Sequence, residues 1–108
     1  MSDKTRFKVQ DIAIGSPNMT TKVIVAGAAR LYGVYINTAL SAHAVTVQNV
    51  TASSPQVRTT IATIPASAAA GTMYNFPGIE ADDSLVLLTN ASGTGNVTVV
   101  YKPKYRQT

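Results

Sequence analysis

The chain has 108 residues, and its hydrophobic content of 45% with only 13% charged residues excludes a disordered protein. This length predicts a single domain over residues 1–108 with a core of moderate size. The absence of cysteine excludes a disulfide framework, a thiolate nucleophile and a cysteine metal site. No apolar run approaches the roughly 20 residues of a membrane span, so no membrane partner is expected.

Apolar and polar residues alternate with a period of two almost throughout, and Val, Ile, Thr and Tyr predominate, as is typical of strands. In chain order, the predicted strands cover residues 6–14, 19–26, 30–37, 44–50, 57–64, 72–76, 84–89 and 96–101. Turn residues separate them, and the small-residue segment 65–71 is too short for a stable helix. The pattern predicts an all-β antiparallel β-sandwich, jelly-roll-like, and a closed barrel is the alternative. Residues 1–5 and 103–108 are predicted to form extended terminal tails.

Three of these strands carry specific predictions about which side chains face the core. In the first, Phe7 and Val9 share a face, so Ile12 and Ile14 require a shift of register or a bulge. The third is apolar on both faces and is therefore predicted to be covered on both sides, by the core and by a second surface, for which another subunit is one candidate. Its residues predicted to support the core and the oligomer interface are Leu31, Tyr32, Val34 and Tyr35. In the fifth, one face is predicted to consist of Val57, Thr59, Ile61 and Thr63.

Basic residues concentrate at the two ends of the chain, which carries a net charge of +4, while the body between them is nearly neutral. Such a placement favours an anionic partner, although basic termini that only aid solubility give the same pattern. An acidic protein surface ranks above nucleic acid because the body has no basic stripe to extend a nucleic-acid groove. The residues predicted to bind the capsid or another partner are Lys4, Arg6, Lys8, Lys102, Lys104 and Arg106.

No constellation of residues predicts catalysis. His43, the only histidine, lies on a predicted turn, and no motif supplies a nucleophile and a carboxylate for it. Glu80, Asp82 and Asp83 cluster in the predicted loop before the seventh strand, but they lack the spacing and the glycine turn of a calcium loop. The glycines form no phosphate-binding motif. The sequence therefore predicts a protein that is not an enzyme and that uses no metal and no cofactor.

Four stretches of the chain resemble one family when taken together. They are 30–37 (Arg-Leu-Tyr-Gly-Val-Tyr-Ile-Asn), 62–72 (Ala-Thr-Ile-Pro-Ala running to Ala-Gly-Thr), 74–79 (Tyr-Asn-Phe-Pro-Gly-Ile) and 95–101 (Gly-Asn-Val-Thr-Val-Val-Tyr). Over roughly residues 20–102 the chain resembles the small β-sandwich virion proteins of tailed bacteriophages, which are head-decoration, cement or fibre-base modules. The resemblance implies a non-enzymatic homotrimer that binds the major capsid protein or other virion proteins.

The leading hypothesis is therefore a capsid decoration or cement protein that binds and stabilises the phage head. The resemblance implies a location on the virion, and synthesis in the host cytoplasm is expected because the N-terminus has no apolar signal segment. One alternative is a receptor- or carbohydrate-binding module of a tail fibre, although sugar sites usually offer exposed aromatic residues and the chain has no tryptophan. A nucleic-acid-binding protein, whose affinity would fall steeply with salt, is the weaker alternative.

Overall fold

The alternating pattern folds into eight strands in the computed structural model, which describes residues 7–14, 21–51, 55–90 and 93–103. The strands are β1 Lys8–Ile14, β2 Thr21–Val25, β3 Ala29–Thr38, β4 Val45–Val50, β5 Arg58–Ile64, β6 Met73–Ala81, β7 Leu85–Leu88 and β8 Gly95–Pro103. The predicted all-β class is confirmed. Within the described ranges there is no helix long and apolar enough to cross a membrane.

The strands form two four-stranded sheets, and every ladder is antiparallel. Sheet 1 has the order β1-β8-β3-β6, and sheet 2 has the order β2-β7-β4-β5. The pairing is nested: β1 lies beside β8, β2 beside β7, β3 beside β6, and β4 beside β5. A long hairpin rolled into two sheets in this way is a jelly roll, so the sandwich rather than the closed barrel is correct.

The core lies between the two sheets and consists of one side of each strand. Its largest fully buried side chains come from five strands, and in β4, β7 and β8 they lie two residues apart because successive residues of a strand point to opposite faces. Full burial of a Val, Leu or Ile side chain contributes about 1.5–3 kcal/mol, so this layer supplies most of the stabilising free energy. These side chains are Leu31, Val34, Ile36, Val45, Val47, Ile64, Leu85, Leu87, Val97 and Val99.

The register of β1 corrects the first prediction about faces. β1 pairs with β8 without interruption from Lys8 opposite Tyr101 to Ile14 opposite Gly95. Ile12 and Ile14 are buried in the core, whereas Val9 is 66% exposed on the other side. The predicted shift or bulge is therefore wrong. Phe7 and Val9 lie on the outer side of the sheet and Ile12 and Ile14 on the inner side, and an unbroken strand allows this because apolar residues occur on both of its sides.

The register of β5 corrects the prediction of which residues share a face of that strand. Between Val47–Ala62 and Gln48–Thr60 the β4–β5 ladder skips Ile61, which is a one-residue bulge. The bulge changes which side chains turn inward, so Ala62 and Ile64 are buried while the threonines of β5 are exposed. The predicted face of Val57, Thr59, Ile61 and Thr63 does not form, because alternation alone does not show where an extra residue enters a strand.

Two strands also extend beyond their predicted ends. β6 continues through Pro77 and Gly78 instead of ending there, and residues 76–78 have no counterparts in β3 because the register passes from Asn75 to Ile79. Proline is tolerated here because β6 is an edge strand with no ladder on its other side. Pro103, predicted to begin a tail, is the last residue of β8 and pairs with Ala29. The other predicted tail residues lie outside the described ranges.

Candidate partner-binding surface

The outer side of sheet 1 carries apolar side chains from all four of its strands, with a few polar residues among them. One row across its four strands is Asp11, Thr98, Tyr35 and Met73, and the next is Val9, Val100, Gly33 and Asn75. Six large hydrophobic side chains are exposed in the described part of the chain. Four of them share this side of sheet 1, called here the apolar face: Phe7, Val9, Tyr35 and Met73. Isolated apolar residues on a surface are ordinary, but a contiguous group of this kind marks an interaction site.

An aromatic ridge crosses the apolar face at one end. The rings of Phe7 and Tyr32 meet edge to face, with centroids 4.7 Å apart and planes at 77°. The Lys102 ammonium lies 5.3 Å from the centre of the Phe7 ring, within cation–π range. Tyr32 also lies over Gly78, where a Cβ atom would approach the ring to 3.0 Å. The ridge therefore extends from β1 to β6 and presents aromatic edges beside a positive charge.

Met73 extends from the edge strand β6 into the apolar face. Its side chain lies across Gly33, where an added Cβ would collide with the Met73 Cε and stand 3.2 Å from the Tyr74 carbonyl oxygen. Glycine at this position lets the methionine lie flat across β3 while remaining 39% exposed. A flexible and polarizable thioether adapts readily to an irregular partner surface.

Charged and polar groups border the apolar face at its two ends. At the end of the aromatic ridge, Arg30 Nη2 donates to Glu80 Oε2 at 2.9 Å, and this hydrogen bond raises the pKa of Arg30 above its ordinary value. Both side chains are exposed, so the pair contributes little to stability. At the opposite end, Asn37 Nδ2 donates to Asn96 Oδ1 and Thr98 Oγ1, both at 2.7 Å. An apolar centre inside a polar rim is the usual anatomy of a protein–protein interface.

The structure brings together only part of the basic set predicted from the sequence. Lys8 and Lys102 lie on the neighbouring strands β1 and β8 at the same end of sheet 1, because these strands pair antiparallel. In register, Lys102 lies opposite Arg30 of β3. The four remaining basic residues lie outside the described ranges: Lys4, Arg6, Lys104 and Arg106.

The four residues predicted for the oligomer interface separate into two pairs. Leu31 and Val34 are completely buried in the core, so neither is able to contact another subunit. Tyr32 and Tyr35 point outward onto the apolar face. Tyr32 is an extra residue with no counterpart in β8, and this bulge changes which side chains of β3 point outward. The predicted set does not include Phe7, Val9 or Met73 of the apolar face, although reading β1 without a shift identifies Val9 as an outward residue.

The acidic residues form no metal site in the described part of the chain. Glu80 lies on β6 rather than in the predicted loop, and it is paired with Arg30. Asp83 accepts a hydrogen bond at 3.1 Å from Asn49 Nδ2. These carboxylates therefore have structural partners on different strands.

A groove of about 270 Å³ lies on the outer side of sheet 2. Its apolar floor is formed by Val23, Val50 and Val86, and Arg58 and Asp83 contribute charged groups to the lining. Thr21, Ala26, Thr51, Gln56 and Ser84 complete the lining.

Hydrogen bonds hold the β6–β7 turn against β4 and so fix one wall of this groove. Asn49 Oδ1 accepts from the backbone N–H groups of Asp83 at 2.8 Å and Ser84 at 3.2 Å. Ser84 Oγ in turn donates to the Val50 carbonyl oxygen at 2.7 Å. The groove is thus preformed, which is typical of small-ligand sites.

Comparison with known proteins adds no assignment to these surfaces. No protein-family model matches the chain, and no curated protein matches it significantly.

Proposed function

We propose that the protein is a non-enzymatic structural component of a virion, a decoration or cement protein that binds the assembled capsid through its apolar face. One observation carries the proposal: four large exposed apolar side chains lie together on one side of sheet 1. Exposing apolar side chains to water costs free energy, and binding to a complementary apolar surface removes this exposure.

The charges around the apolar face support a particular kind of partner. Lys8 and Lys102 lie at the same end of sheet 1, on the paired strands β1 and β8. The net charge of +4 is concentrated in the two terminal segments. A partner with acidic residues beside an apolar patch complements this arrangement, and such charges chiefly accelerate and orient binding. The major capsid protein is the proposed partner.

The proposal includes a homotrimer, in which Tyr32, at the Phe7 and Gly78 end of the apolar face, is the member of the predicted interface set assigned to subunit contacts, whereas Tyr35 is assigned to the capsid. Exposed tyrosines bury a large area at small entropic cost, which suits them to subunit contacts. Native mass measurement tests this part separately, because a monomeric mass removes the trimer without affecting capsid binding.

We expect the Tyr35→Ala/Met73→Ala double variant to bind empty capsids at least about tenfold more weakly than the unaltered protein, because central interface side chains carry most of the binding energy. The measurement is co-sedimentation with empty capsids over a range of salt concentrations. Val57→Ala serves as the control, since Val57 is 56% exposed but lies outside the apolar face. Absence of binding at low salt, or equal weakening by the control, contradicts the proposal.

A second candidate function is a carbohydrate- or receptor-binding module of a tail fibre, which the groove on sheet 2 favours. Its valine floor suits the C–H face of a sugar, while Arg58 and Asp83 offer a donor and an acceptor for hydroxyl groups. A glycan array is expected to show binding that Arg58→Gln abolishes. Lys102→Gln, which removes a cation from the opposite sheet, is expected to leave it unchanged. Absence of array binding, or equal loss in both variants, excludes this function.

A further inference from the structure

The four edge strands of the jelly roll differ in how they are protected against pairing with another chain. An edge strand offers unpaired backbone N–H and C=O groups, and bulges or proline normally interrupt them. β2 has an irregularity between Val23 and Val25, and β5 has the bulge at Ile61. β6 carries Pro77 followed by Gly78, whose φ is +88°. Three of the four edges are therefore interrupted.

β1 is the exception among these edges. All seven of its residues pair with β8 in one continuous register, and it contains neither proline nor glycine. β8 is its only neighbour in sheet 1 within the described ranges, so the other side of β1 presents a regular row of backbone groups. Val9 at this edge is the most exposed of the large hydrophobic side chains described. The edge is thus continuous with the apolar face.

We propose that β1 binds an extended strand of a partner protein, which adds antiparallel to sheet 1 as a fifth strand. Main-chain hydrogen bonds would provide the affinity, and alternate side chains would provide the specificity, as in other cases of strand addition. Antiparallel pairing follows the rest of the sheet, in which every ladder is antiparallel.

The charges of β1 argue for a different protein rather than a second copy of this chain. A two-fold pairing that uses the whole strand centres on Asp11, the middle residue of Lys8–Ile14. It would place Asp11 directly opposite its own copy, and like charges in that position destabilise a sheet. Registers that avoid this contact leave part of the strand unpaired. A partner strand with complementary charges avoids both losses.

These positions define the chemistry of the partner strand. It carries a basic residue opposite Asp11, an apolar residue opposite Val9 and an acidic residue opposite Lys8. Because the strands run in opposite directions, the partner reads from its N-terminus as basic, any residue, apolar, acidic. The identification of this strand as part of a capsid protein rests on the proposed function, but the binding property of the β1 edge does not.

Two synthetic peptides test the edge directly, without capsids. The matched peptide is acetyl-Thr-Val-Thr-Lys-Thr-Val-Glu-amide, and the control exchanges its Lys and Glu. We expect the matched peptide to bind about tenfold more tightly, because both cross-strand charge pairs change from attractive to repulsive in the control. Hydrogen exchange is expected to show new amide protection at alternate residues of β1 only.

A charge-reversed protein provides the reciprocal control. The Lys8→Glu/Asp11→Lys variant keeps the length and apolar residues of β1, and it is expected to prefer the exchanged peptide by a similar factor. Equal binding of both peptides, protection on β2, β5 or β6, or no protection at millimolar peptide overturns the proposal. Failure of capsid binding with intact peptide discrimination instead overturns the proposed function alone.

Discussion

Replacing Leu31 by alanine is expected to lower the free energy of unfolding by about 2–5 kcal/mol, because the substitution removes a buried side chain and leaves a cavity. Leu31 is completely buried and lies opposite Ile79 and Tyr101 on the two strands that flank β3. Urea unfolding of the purified variant measures the change. A loss of this size is a large part of the 5–15 kcal/mol that usually separates folded and unfolded domains.

Tyr35→Ala is the matched comparison on the same strand. Tyr35 is 39% exposed, so its truncation is expected to change the free energy of unfolding by much less while weakening binding to the partner. The pair of variants separates the role of β3 in the core from its role at the surface. A loss below about 1 kcal/mol for Leu31→Ala would contradict its assignment to the core.

Composition and alternation are sufficient to predict the class of this fold. They identify eight strands and an antiparallel sandwich because period-two alternation and turn residues are local properties. Which side of a strand faces inward is not local when bulges occur. Ile61 in β5 and Tyr32 in β3 each enter as an extra residue that the neighbouring strand does not match. Their positions depend on pairing between strands that lie far apart in the sequence.

The candidate surface shows the same limit. The sequence indicates that β3 is apolar on both faces, but it does not show that Tyr32 and Tyr35 share the outer side, which follows from the bulge at Tyr32. The sequence does not show that Phe7 and Met73 lie on the same side of the same sheet. Their strands, β1 and β6, form the two opposite edges of sheet 1, and this strand order is a property of the folded chain. The strand order of sheet 1 thus determines which apolar residues become neighbours on the apolar face, and the sequence alone does not give that order.

The two proposed binding modes use one continuous region of the molecule. Val9 belongs both to the apolar face and to the β1 edge, so a strand added beside β1 would also extend the apolar face. The partner would then contact backbone groups at the edge and side chains on the face at the same time. Val57→Ala, the control for the face, lies at neither position, which keeps the two experiments interpretable together.

Gly95→Ala is expected to lower the free energy of unfolding by about 2–4 kcal/mol, because it combines an unfavourable backbone conformation with a steric collision. Gly95 has a φ of +130°, a value that residues with a Cβ rarely adopt. A Cβ atom there would lie 2.8 Å from Leu40 Cδ2 and 3.0 Å from the Ala39 carbonyl oxygen. Because Leu40 is buried and the oxygen belongs to the backbone, neither neighbour is able to move away freely.

Gly27→Ala is the control for this substitution. An added Cβ at Gly27 meets nothing within 4 Å, and its φ is not positive. Its replacement is expected to leave stability unchanged or to increase it by up to about 1 kcal/mol, since alanine reduces the entropy of the unfolded chain. Thermal and urea unfolding of both variants provide the comparison. Equal effects of the two substitutions would show that the close contact between β8 and the segment after β3 does not determine the cost.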